Sequence, residues 1–216
     1  IPLMLGILSA TVTSGRAITK TGKYKKFPIA GTIVMSIGLL LMTRLSLVTP
    51  YWEIAIYAIV VGAGLGLTMQ TIVIALQNDI DFKLLGIATS SNTFFRTLGG
   101  AFGTAIFGTI LSHNVSHNLK DGFAALAKTN PEVLSKVDPT LLTSITTNTG
   151  AIAKLPAVVQ NTVLEGFMSA FHSVFIAAFP VVALGLVFAI FLKEKPLQDS
   201  SAHSAARQDA AGEALG

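Results

Sequence analysis

Long apolar runs separated by short polar breaks constrain this chain more than any other feature. A helix needs about 20 mostly apolar residues to cross roughly 30 Å of hydrocarbon. Residues 27–43 are uncharged and close on Arg44, 54–78 are uncharged throughout, 84–112 carry only Arg96, and 166–192 carry no charge. A fifth run, 1–15, would span only about 22 Å at 1.5 Å per residue and reads as a span cut in its middle. The chain opens on Ile, not Met. We therefore read it as a C-terminal piece of a longer protein. Core helices of soluble proteins rarely repeat at this length with so little polar sequence between them.

Composition agrees. Asp, Glu, Lys and Arg make up 12% of the 216 residues, about half the share near 25% of soluble domains. Mean hydropathy is +0.67. These values exclude disorder for the chain as a whole and argue against an ordinary soluble enzyme. The absence of Cys excludes disulfides and Cys-ligated metal. A net charge of +4 invites a nucleic-acid reading, but the basic residues crowd one loop or scatter between apolar blocks, where a nucleic-acid footprint would share a face.

The expected fold is therefore an all-α integral membrane bundle of about five transmembrane helices, the first truncated. The spans fall at about 1–15, 27–46, 52–77, 84–112 and 167–192, so that 1–192 form one membrane bundle. Residues 113–166 form an outer loop, and 193–216 a disordered cytoplasmic tail. Arg16, Lys20, Lys23, Lys25 and Lys26 follow the first block with no acid among them, and Lys and Arg prefer cytoplasmic loops. Alternation from there leaves nine basic residues inside and five outside, with Arg96 in the membrane. The plasma (inner) membrane, with the C-terminus in the cytoplasm, is the expected location. Pro28 and Pro50 suit helix starts. Tyr51 and Trp52 suit an interface. Pro180 should kink the last span. In the outer loop, Val115, Leu119, Phe123 and Leu126, and then Leu155, Val159 and Val163, recur at helical spacing. They predict short helices lying on the membrane surface.

Arg96 is the most informative polar residue. It sits about 18 Å into its helix, where a charge costs about 2.5–3.5 kcal/mol on insertion scales. Two readings stand: a residue of a transport pathway, or a guanidinium that snorkels or locks helices together. Asn92, Arg96, Gly99 and Gly103 share one helical stripe, with Gly100 beside it. Gly62, Gly66, Gln70 and Gln77 form a similar stripe on the preceding span. For the glycines, tight helix packing is the better reading, with a hinge or sliding surface as the alternative. Gln70, Gln77 and Asn92 either line a cavity or bond between helices. Phe167, Phe171, Phe175 and Phe179 recur every four residues and read as packing or lipid-facing bulk more than as a ligand stack. His113 and His117 have metal-pair spacing, but only Asp121 is near enough to help, so no metal site is expected. His172 reads as hydrogen-bonded. No catalytic pairing of acids or of nucleophile and base is present.

Residues 15–25, Gly-Arg-Ala-Ile-Thr-Lys-Thr-Gly-Lys-Tyr-Lys, resemble the cytoplasmic signature of the major facilitator superfamily. Gly15, Lys20, Gly22 and Lys23 fall on its positions. Thr19 replaces its acid and Tyr24 a basic residue, as in the second half of that fold. The runs from Gly62 to Asn78 and from Gly86 to Gly103 are similar to the EmrB/QacA-type, fourteen-helix drug:proton antiporters, and so is the long outer loop. The resemblance implies the last five helices of such a protein. It further implies alternating access around a midplane cavity and export of amphipathic, often cationic compounds against proton influx, with no cofactor but the proton gradient. Its implied partners are the lipid bilayer, the N-terminal half of the same chain and a small amphipathic substrate. On this reading Arg96, Asn92, Gln70 and Gln77 line or support the substrate pathway. Gly62, Gly66, Gly99, Gly100 and Gly103 serve packing or hinge motion. Gly15, Lys20, Gly22 and Lys23 belong to a cytoplasmic gate loop. The rivals are the same fold exporting a metabolite, antibiotic or amino acid, and a non-transporting assembly or sensor protein of the membrane.

Overall fold

The structure, a computed structural model, describes residues 1–129, 131–132, 150, 152 and 155–195. Among them lie five α-helices: α1 (Pro2–Thr21), α2 (Lys26–Met42), α3 (Tyr51–Asp79), α4 (Leu85–Thr129) and α5 (Ala157–Phe191). A single 3-10 turn, Phe82–Leu84, leads into α4. Among the described residues there is no strand. α3, α4 and α5 are long and apolar enough to cross a membrane, and α2 is a shorter apolar helix. Many large apolar side chains face outward, among them Phe95, Phe188 and Phe191 at 67%, 73% and 78% exposure. A water-soluble surface does not carry that much exposed apolar bulk.

The chain divides into two compact units. The first holds Ile1–Leu39, Tyr51–Phe102 and the chain from Phe179 onward. Its packing is set by the run Gly62-Ala-Gly64-Leu-Gly66. Positions 62 and 66 share one helical face, and 64 points nearly the opposite way. A Cβ at Gly62 would strike the carbonyl of Leu3, and one at Gly66 that of Ile7, both on α1. In return, a Cβ at Gly6 would strike the carbonyl of Ile59. On the other side, a Cβ at Gly64 would lie 2.6 Å from the Gly31 carbonyl and from the Met35 amide nitrogen of α2. Backbones this close gain dispersion and weak polar contacts that larger residues would forbid. Residue 3 meets 62 and residue 7 meets 66, so α1 and α3 run parallel. Gly31 meets Gly64 while Gly38 meets Val61, so α2 runs antiparallel to both. That up-down-up order is what three consecutive membrane crossings require.

The join between α1 and α2 is shorter than the sequence suggests. α1 continues six residues past the expected end at Gly15, so Arg16 and Lys20 lie on the helix itself. It stops at Gly22, whose φ of 69° is left-handed and whose N–H bonds the carbonyl of Ile18 at 2.8 Å. Only glycine adopts that cap without steric cost.

The second unit holds Leu40–Pro50 and Gly103–Ala178. Here the structure corrects the expectation of short surface helices. Instead of ending near residue 112, α4 runs unbroken to Thr129, and α5 begins at Ala157. Val115, Leu119 and Leu126 of α4 are buried against Ile152, Leu155, Val159 and Val163. The side-chain amide of Asn118 donates to the Gly166 carbonyl at 3.2 Å. Gly122 packs on Thr162, four residues on in α4 and four back in α5. The pair is thus an antiparallel hairpin whose apolar stripes face each other rather than a lipid surface. Each fully buried Val is worth about 1.5–3 kcal/mol of transfer free energy, which explains why the stripes pair. Residues 130, 133–149, 151 and 153–154 of the expected outer loop lie outside the described residues.

α5 runs through Pro180 as one continuous helix. Past its end at Phe191, residues 192–195 are fixed by hydrogen bonds, so the tail expected from 193 begins as an ordered segment. Residues 196–216 of that tail lie outside the described residues.

Candidate functional site

Arg96 and Asn92 lie on α4, with Gln70 and Gln77 on α3, all in the first unit. Arg96 is exposed and Asn92 half-buried, on a stretch of α4, residues 85–114, in which no residue is buried. Gln70 is half-buried and Gln77 exposed. The structure does not bring the four together: no hydrogen bond or ion pair between them is found among the described residues. A Cβ at Gly99, Gly100 or Gly103 would meet nothing within 4 Å among the described residues, in contrast to Gly62 and Gly66. In the gate loop, Gly15 is likewise open, and Lys20 and Lys23 are exposed, flanking the Gly22 cap.

The structure does assemble a polar cluster that the sequence reading missed. Tyr24 sits in the α1–α2 connection and is 2% exposed. Its ring packs with Ile18 and Ala75, and Phe27, Ile74 and Leu192 close the group. The hydroxyl donates to the Lys193 carbonyl at 3.2 Å and accepts the Lys195 N–H at 3.0 Å. Asn78, buried in the last turn of α3, donates weakly to the Lys195 carbonyl at 3.5 Å. The Lys195 ammonium pairs with the Asp79 carboxylate. Its pKa is raised from 10.5, first by the hydrogen bond to Asp79 and then by the attraction of that carboxylate. A raised value makes the pairing fully present below 10.5 and lost as pH climbs through the higher folded-state value. Both side chains are more than half exposed, so water and salt keep the pair weak.

A cavity of about 470 Å³ adjoins this cluster, walled by Ile72, Leu76 and Ile80, with Tyr24, Asp79 and Lys195 among its polar lining. The connection after α1 and the ends of α3 and α5 therefore meet at one end of the unit. The available signals were slight: one aromatic among five basic residues, an Asp closing a long apolar run, and a Lys just past the last one.

In the second unit the imidazole Nε2 of His172 lies 2.7 Å from the Leu45 carbonyl. The ring is thus hydrogen-bonded, as the sequence suggests. A cavity of about 490 Å³ beside it is lined by Ser46, Val48, Glu165 and Met168. His117 pairs with Asp121 at 3.0 Å on the surface of α4, and among the described residues no metal-ligating group of three forms.

A set of parallel and antiparallel apolar helices with close glycine contacts defines a multi-pass membrane protein. Its homologues are transporters, a non-enzymatic class. An uncharacterised MFS-type transporter of Mycobacterium tuberculosis is 34% identical over 199 residues, covering 92% of this chain and 27% of that protein. Multidrug transporter protein MdtP of Bacillus subtilis is 28% identical over 228 residues, covering 99% of this chain and 42% of its own length. A tetracycline resistance determinant of Streptomyces rimosus is 27% identical over 216 residues, covering 94% and 62%. The chain thus spans between about a quarter and under two thirds of these relatives. No protein-family model matches it, and no solved structure does.

Proposed function

We propose that this chain is the C-terminal part of a major facilitator efflux transporter of the EmrB/QacA type, working by alternating access and driven by proton influx. The observation that carries the reading is similarity to MFS-type and multidrug transporters along nearly the whole chain, on helices that alternate in direction as membrane crossings do. Small amphipathic or cationic compounds are the proposed cargo. The basic α1–α2 connection is assigned to the cytoplasm by the charge rule, which puts the end of α5 in the cytoplasm and the protein in the plasma membrane. The named tetracycline relative favours a second reading in which the cargo is an antibiotic made or met by the host.

The full-length protein that carries this chain, expressed in a drug-sensitive host, should expel ethidium. A protonophore should abolish that efflux. Arg96→Ala should reduce efflux to background while membrane abundance stays unchanged, because a guanidinium at that depth is retained for a hydrated path. Undiminished efflux in the variant would remove Arg96 from the pathway. Efflux indifferent to the protonophore would remove proton coupling.

A further inference from the structure

We infer that residues 192–195 form a releasable strap over the cavity between the end of α3 and the end of α5. The segment leaves α5 after Phe191 and drops Leu192 onto the Ile18–Tyr24–Ala75 cluster. Its backbone is then held at two points by one buried hydroxyl, that of Tyr24. The side chain of Lys195 reaches back to Asp79 at the last residue of α3. Behind the strap lies the cavity of about 470 Å³, apolar along Ile72, Leu76 and Ile80.

The wall and its fastening are unlike in kind. The wall is built of helix side chains. Among the described residues the fastening comprises the Tyr24 phenol, one solvent-exposed ion pair, one long amide bond and the half-buried Leu192. Exposed ion pairs and long hydrogen bonds are weak, so the strap opens without disturbing the helices it crosses. It also ties the α1–α2 connection to the ends of α3 and α5, so those three ends shift together while it is closed. This role rests on the transporter reading only for its purpose, which is to keep that end shut until cargo passes.

The test uses the full-length protein with any cysteine outside this chain replaced; the chain itself has none. Ala75, 8% exposed and lining the cavity, is changed to Cys in opened membranes. Its labelling by an impermeant maleimide is then timed without substrate. In the parent, labelling is slow. Tyr24→Phe and Asp79→Asn should each speed it at least fivefold. The charge exchange Asp79→Lys with Lys195→Asp should return it to within twofold of the parent, which a merely misfolded variant would not do. Parental rates in both single variants overturn the strap, and so does an exchanged pair that labels as fast as the singles. Since no substrate is present, either result leaves the efflux assay to be judged separately.

Discussion

Glycines that look alike in the sequence differ in what surrounds them. Gly62 faces a backbone carbonyl of α1 that has no freedom to move aside, whereas Gly22 is open but sits at φ 69°. Gly62→Leu should therefore cost about 3 kcal/mol, the upper end of overpacking penalties. Gly22→Ala should cost about 1 kcal/mol, the strain of a side chain in the left-handed region. Thermal unfolding of the purified full-length protein checks both, and equal losses would refute this account of α1–α3 packing. Spacing suggests packing for Gly62 but shows neither its partner nor the cap at Gly22. The stripe 62, 66, 70 is legible as a helical face, but which neighbour it meets depends on α1, more than fifty residues away.

At the level of elements, apolar runs located α3 within three residues at either end. They failed on α4 because hydropathy and helicity end at different places. His113, Asn114, Lys120 and Asp121 stop a hydrophobic run, yet none of them breaks a helix, and Leu119 and Leu126 keep an apolar stripe for α5 to cover. Truncating that stripe should tell on the hairpin alone. Leu119→Ala removes a side chain 6% exposed and should cost about 2–3 kcal/mol locally. Hydrogen exchange at 115–126 and 157–166 should quicken while 54–70 stay protected. Uniform quickening across all three segments would mean that the hairpin is not a separate cooperative piece.

For the molecule as a whole, the proposed transport depends first on which way each helix runs. α1 and α3 run parallel with α2 opposed, and the α1–α2 connection meets the end of α5 through Tyr24. Single cysteines at Lys20 and Lys195 should therefore label from the same face of intact cells or vesicles, and one at Tyr51, at the start of α3, from the opposite face. Labelling of Lys20 and Lys195 from different faces would refute the arrangement of the first unit. The basic loop supplies the expected sidedness, which this labelling would test. The Tyr24 cluster was not readable, because it joins three segments up to 171 residues apart, each unremarkable by itself.

The length of α4 carries a practical consequence. Its 45 residues measure about 67 Å at 1.5 Å per residue, more than twice the oily layer of a bilayer. Oil therefore cannot account for the whole of it, and the stripe Val115, Leu119 and Leu126, covered by Val159 and Val163, supplies the remaining stretch with apolar burial. An antibody fragment raised against the paired ends of α4 and α5 would give electron-microscope images a handle for alignment.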